Sequence, residues 1–244
     1  MVNGLYTASK GMTNILARQD LMANNLSNAN TTGFKISQLA TRGEVTIGRN
    51  DEKLLHQDES QTLNQEYTQF TQGALVQTDH PLDVALSGPG FLKVMTPEGM
   101  AYTRNGSLNL NLDKQIVTSE GRPVLDEGGE AIRADGKSIS IQTDGGVFVD
   151  GQQIGKLALT EFADPQLLQA RGDGLYRNLN PGQNPSKSAL GTEIKQGFLE
   201  ASNVDTVGAM VAMIAYHRNY EADQRVMQSI DQTLSKAVNE VGRV

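Results

Sequence analysis

Apolar side chains recur at alternating three- and four-residue spacing at both ends of the chain, whereas the sequence between them breaks into short runs separated by turn residues. At the N-terminus the series is Leu5, Ala8, Met12, Ile15, Gln19, Met22, Leu26 and Ala29, with one polar member. That spacing lines one face of a helix and is the seam of a coiled coil. Near the C-terminus Ala209, Met213, Tyr216, Tyr220, Asp223, Met227, Ile230, Leu234, Ala237 and Val241 continue the rhythm, again with one polar interruption. Two such helices, far apart in sequence, can bury their stripes on one another. The expected fold class is therefore α+β: N- and C-terminal helices paired as a coiled-coil stem, with a central all-β domain made of short antiparallel strands. If fully helical, residues 204–241 span about 57 Å and the N-terminal partner about 42 Å, at ~1.5 Å per residue. Part of the long helix then lacks cover from its own chain. Residues 207–216, which include Met210 and Ile214, are apolar nearly all round, so some of that surface is expected to bury against other chains.

The pattern divides the chain into five parts. Residues 1–35 form the N-terminal helix and its exit, where an Asn-rich run competes for backbone groups and Gly33 takes the left-handed conformation that stops a helix near Asn28 to Asn30. Residues 36–72 are polar, without a convincing period, and read as an extended connector. Residues 73–185 form the β-rich domain. Its turns are marked by Pro97-Glu98-Gly99, Asn105-Gly106, Glu120-Gly121, Gly128-Gly129, Asp144-Gly145-Gly146 and Asp150-Gly151. Residues 186–203 are a return connector, and 204–244 the C-terminal helix. Its start reads as a capping box in which Ser202 accepts from a backbone N–H and Asp205 reaches back.

Composition narrows the function. Aromatic residues make up 5% of the chain and Trp is absent, so rigid anchors for a ligand pocket are scarce. The formal charge is −7 with Lys and Arg scattered, which offers no basic stripe to a nucleic-acid backbone. There is no Cys, which excludes disulfides, thiol catalysis and Cys-ligated metal. The first 29 residues carry Lys10, Arg18 and Asp20 and lack a continuous apolar core, so no cleavable signal is expected, and no apolar window reaches the ~20 residues of a membrane span. The expectation is a soluble chain, or one exported with its N-terminus intact, without direct membrane insertion.

Candidate chemistry is thin. His56, His80 and His217 have no paired metal-ligand spacing, and Asp144-Gly145-Gly146 with Asp150-Gly151 reads as two hairpin turns in preference to a calcium loop. Asp126, Glu127 and Glu130 flank glycines in a turn, where carboxylates are ordinarily solvated. No phosphate loop, dinucleotide fingerprint or nucleophile elbow is present. No catalytic residue, cofactor or metal is expected.

Four stretches resemble a known family. ANNLSNANTTGFK at 23–35, PLDVALSGPGFLKV at 81–94, AYTRNGSLNLN at 101–111 and GFLEASNVD at 197–205 are similar to the rod and hook group of axial proteins in the bacterial flagellar basal body. The opening MVNGLYTASKGM and the compact connector between Gly33 and Pro81 look more like the proximal-rod than the distal-rod branch, which stays open as the alternative. The resemblance implies a structural subunit, not an enzyme. It would polymerise through its terminal helices into the torque-transmitting rod that crosses the periplasm, after passage through the flagellar type III export apparatus. Its partners would be proximal and distal rod subunits. Ala23, Asn24, Asn25, Leu26, Asn28, Gly33 and Phe34 carry over as signature positions that turn the chain out of the helix and present amides to neighbouring subunits. With Met12, Ile15, Met22, Met210, Met213, Ile214, Met227, Ile230 and Leu234 they make up the expected subunit interface. Two rivals belong to other classes. A peptidoglycan-processing enzyme requires a cleft with a raised-pKa carboxylate, and an adhesin requires extended heptads on one side only.

Overall fold

The structure, a computed structural model, describes residues 2–42 and 63–241. The chain divides into two compact units: residues 1–27, 37–67 and 205–244 form a helical unit, and residues 28–36 and 68–204 form a β-body.

In the helical unit, helix α1 runs Val2–Ser27 and helix α2 runs Thr206–Val241. The two pack against each other. Gly11 lies beside Asp223, while Met22 and Asn25 share a cleft with Tyr216, so the helices run antiparallel. Ala209 is buried, and Met213, Tyr216, Tyr220, Asp223, Met227, Ile230 and Leu234 are half-buried, as are Ala8, Met12, Ile15, Gln19, Met22 and Leu26 on the other helix. Strands Ser37–Arg42 and Leu63–Thr68 pair into a two-stranded sheet, and the first of them packs on α1. The middle of the expected connector, with His56, lies outside the described residues.

The start of α2 corrects one expectation. Asp205, not Ser202, caps the helix: its Oδ1 accepts from the amides of Val207 and Gly208, each at 3.1 Å. Ser202 Oγ accepts instead from Val204 N at 3.3 Å, in a local turn that ends before the helix. Both side chains suit an N-cap. The one directly preceding the helical backbone takes the role.

The β-body is built mainly of short antiparallel strands. Its largest sheet orders six of them as Leu168–Ala170, Leu175–Asn178, Gly99–Thr103, Phe91–Thr96, Leu159–Phe162 and Ser186–Ser188. Successive strand residues point to opposite faces, and here both faces are buried. Leu92, Val94, Ala101, Leu159 and Leu175 join the aliphatic core, while their neighbours Phe91, Tyr102, Phe162 and Tyr176 gather in an aromatic cluster with Phe70. Five of the chain's twelve aromatics are thus pooled, with edge-to-face contacts such as Tyr102 on Phe162 at 4.8 Å between ring centres. A second sheet orders Gln152–Lys156, Gly146–Val149 and Ile139–Ile141. Its hairpin turn at Asp150-Gly151 has φ of 49° and 86°, the paired positive values of the tight turn expected there.

Two further expectations fail here. Asn105-Gly106 is not a hairpin turn: Gly106 O accepts from Val84 N, and a Cβ on Gly106 would sit 1.7 Å from Val84 O, so glycine serves a close backbone approach. Residues 186–203 are no mere connector either. They supply Ser186–Ser188, Glu193–Gln196 paired with Val84–Ser87, and Phe198–Glu200 paired with Leu75–Gln77. The first two of these strands are polar because they bury few side chains, and backbone pairing holds them.

Candidate functional site

The chain passes between its two units at residues 27/28, 36/37, 67/68 and 204/205. Within the β-body the passing segments are laced together by buried polar side chains. Lys35 Nζ donates to Glu200 Oε1 at 2.5 Å and to Thr71 O at 2.8 Å, and both charged side chains are fully buried. Gly73 N also donates to Glu200 Oε1, at 2.9 Å. Glu200 Oε2 faces Arg104 Nη1 at 3.6 Å, an ion pair without a hydrogen bond, while Arg104 Nη2 donates to Gly88 O at 2.6 Å. The Arg104 guanidinium stands 5.4 Å from the centre of the Phe91 ring. Two buried cations therefore share one carboxylate.

The burial of these groups shows in their acid–base properties. Burial pulls Lys35 below the ordinary lysine value, against the opposing pull of Glu200, with the Arg104 charge adding to the drop. Burial also lowers Arg104, again against Glu200. Tyr176 is pushed up, first by burial and also by the Glu200 charge, against the opposing effect of Arg104. Charges out of water are costly unless paired and hydrogen-bonded, so the cluster requires all three segments to be in place.

Asn203 completes the lacing. Its Oδ1 accepts from Ile36 N at 2.8 Å, and its Nδ2 donates to Gln69 O at 2.9 Å and to Thr71 Oγ1 at 2.9 Å. Gly33 lies in the same region. Its amide donates to Glu200 O at 2.7 Å, its φ is 69°, and a Cβ there would fall 2.5–2.6 Å from backbone atoms of Arg104 and Asn105. The left-handed conformation was expected, but the helix stop was not its place. Helix α1 ends at Ser27, and Gly33 occupies the third position of a separate turn, closed by Phe34 N donating to Thr31 O.

In the helical unit, Asn25 is fully buried, and its carboxamide copies a strand pairing. Nδ2 donates to Ser37 O at 2.7 Å and Oδ1 accepts from Ser37 N at 2.9 Å. Its amide is thus taken up within the chain, which corrects its expected presentation to a neighbour: the buried side chain has both ends satisfied where the strand leaves α1. Of the other signature positions, Ala23 and Asn24 are exposed, and Leu26, Asn28 and Phe34 are half-buried. Met210 and Ile214 are exposed on α2, at 52% and 57%. Asp126, Glu127 and Glu130 stand in a tight turn, with Asp126 Oδ1 accepting from Glu130 N and Glu127 paired to Lys156 at 3.0 Å. His80 and His217 are exposed in separate units. Among the described residues, no helix is long and apolar enough to cross a membrane.

Lys35, Arg104, Glu200 and Asn203 were not among the expected site residues. The signal that could have found them is a single charge inside an otherwise apolar or turn-rich motif, as in Gly33-Phe34-Lys35-Ile36 and Phe198-Leu199-Glu200-Ala201. The cluster joins all four of the stretches singled out in the sequence, through Lys35, Gly88 with Phe91, Arg104 and Glu200.

Comparison with known proteins agrees in the same order along the chain. Residues 5–35 match the family of flagella basal body rod proteins, residues 85–149 the flagellar hook protein FlgE/F/G D1 domain, and residues 195–240 the C-terminal region of flagellar basal body rod FlgEFG proteins. The flagellar basal-body rod protein FlgF of Caulobacter vibrioides is 33% identical over 252 residues, covering all of both chains. FlgF of Salmonella typhimurium is 32% identical over 97% of each chain. FlgG of Bacillus subtilis is 32% identical over 98% of this chain and 99% of its own. Helices from the two chain ends, a β-body between them in sequence, and these matches define an axial protein of the bacterial flagellum: the chain belongs to the flagellar basal-body rod family. Within that family it is FlgF-like, with FlgG proteins matching at similar identity.

Proposed function

We propose that this chain is a structural subunit of the proximal rod in the flagellar basal body. It has no catalytic role and associates with other rod components in the axial tube that transmits torque across the periplasm. The terminal helices pair as a coiled coil and polymerise with those of neighbouring subunits. The subunit reaches its place through the flagellar type III export apparatus. The end-to-end likeness to FlgF supports the proximal position; the similar identity of FlgG proteins supports the distal rod as the alternative.

The observation that carries the assembly reading is the uncovered apolar surface of α2. Val207, Met210, Val211 and Ile214 stay 52–70% exposed although α1 packs along the same helix. Patches of this kind on one helix mark protein–protein contact. Met213→Asp and Ile230→Asp test the reading, because an unpaired charge in a packed seam is costly. Both variants are expected to abolish motility while the β-body keeps its circular dichroism. Normal swimming in both contradicts assembly through the helices.

A further inference from the structure

We infer that residues 33–36, 69–73 and 200–203 form a polar clamp that opens as one unit while the rest of the β-body stays folded, with the Lys35–Glu200 pair as its lock. The aliphatic core of the β-body is drawn from Leu82 to Ile194, so none of its members belongs to the clamp. Phe70 does reach the aromatic cluster, edge-on to Phe91 and Tyr176 at 5.5 and 5.1 Å between ring centres. The clamp's own fully buried residues are Gly33, Lys35 and Glu200, a glycine and two charged side chains. A region held by hydrogen bonds and charge, with little apolar burial, falls at the low end of local stability. The clamp can therefore yield before the core does.

Its bonds run from segment to segment. Gly33 N donates to Glu200 O at 2.7 Å, Ile36 N to Asn203 Oδ1 at 2.8 Å, Gln69 N to Ile36 O at 2.9 Å and Gly73 N to Glu200 Oε1 at 2.9 Å. A Cβ on Gly73 would fall 1.9 Å from Ala201 O, so those two backbones approach as closely as glycine permits. Withdrawing residues 200–203 takes the acceptors from Gly33, Ile36 and Gly73 together and leaves Lys35 with Thr71 O. Withdrawing residues 33–36 leaves Glu200 with Gly73 N and with Arg104 at 3.6 Å, too far for a hydrogen bond. Either single step strands a buried charge, whereas opening all three segments returns both charges to water. That difference makes the opening all-or-none.

The clamp also sits where the chain leaves the β-body. The passages between the two units, at 27/28, 36/37, 67/68 and 204/205, lie at or close to the ends of clamp segments. Opening the clamp lengthens the free chain at all four passages at once and leaves the aliphatic core intact.

Hydrogen exchange of the full-length chain, followed by NMR under native conditions with low denaturant, tests this. The amides of Gly33, Ile36, Gln69 and Gly73 report the clamp, and those of Val84, Val124 and Ile194, each bonded to a backbone carbonyl, report the core. The clamp amides are expected to share one opening, less protected and less dependent on denaturant than that of the core amides. Ile116→Val weakens the core and should speed the core amides roughly two- to tenfold while leaving the clamp amides unchanged. Lys35→Met should speed all four clamp amides by one shared factor, about five- to thirtyfold after correction for intrinsic rates, and the core amides by no more than that. Clamp amides that speed up with the core in Ile116→Val, or that answer Lys35→Met by different factors, overturn the inference.

Discussion

Because two buried cations share Glu200, removing the carboxylate and removing one cation should have very different costs. Glu200→Gln keeps the shape but leaves Lys35 and Arg104 buried with no counter-charge, 2.5 and 3.6 Å from a neutral amide. Stranding a buried charge in this way costs about 3–5 kcal/mol. Lys35→Met removes one desolvated cation and leaves Glu200 paired with Arg104 and accepting from Gly73 N. It loses the hydrogen bonds to Glu200 Oε1 and Thr71 O, but the first oxygen still accepts from Gly73 N and the second from Asn203 Nδ2 at 3.2 Å, so with neither acceptor left unmet the cost is about 1–2 kcal/mol. For a domain of this size ~1 kcal/mol moves the midpoint by roughly 2–4 °C. Glu200→Gln should therefore lower the β-body midpoint by about 6–20 °C and Lys35→Met by about 2–8 °C. Thermal unfolding followed by a probe in the β-body reads both. A Lys35→Met variant as unstable as Glu200→Gln, or more so, refutes the charge count at the centre of this site.

Gly33→Val should be far worse than Thr32→Ala, because a β-branched residue resists φ of 69° and its Cβ would meet the Arg104 backbone at 2.5 Å; equal unfolding midpoints for the two variants contradict this. Lys35 also sets a pH dependence. Its folded-state value is lowered from 10.5, so between the lowered value and 10.5 the unfolded chain binds more protons, and the Lys35 contribution to stability rises with pH across that window. Denaturant titrations should show that increment in the wild type and not in Lys35→Met; identical pH slopes in the two proteins count against it.

The helices were legible because their signal is periodic. The half-buried residues of α2 follow the three- and four-residue spacing from Met213 to Leu234. The hairpins at Pro97-Glu98 and Asp150-Gly151 were legible because positive φ and tight turns demand particular residues. Strands Ser186–Ser188 and Glu193–Gln196 were not, since their side chains are largely exposed and long-range backbone pairing, invisible to local pattern, places them. The site itself was half legible. Gly33 and the Asn run stood out by type, but Lys35, Arg104 and Glu200 are 69 or more residues apart in sequence and look like ordinary surface charges until the fold buries them together. Ser202 and Asp205 show the finer limit. Both are good caps, and only the backbone decides between them.

A density map of intact basal bodies, with this chain traced in it, tests the central claim most directly. The account predicts the chain in the rod, α1 and α2 packed against the helices of neighbouring subunits, and the Val207 to Ile214 stripe covered. Density for the chain outside the rod, or inside it with those helices facing solvent, would contradict the account.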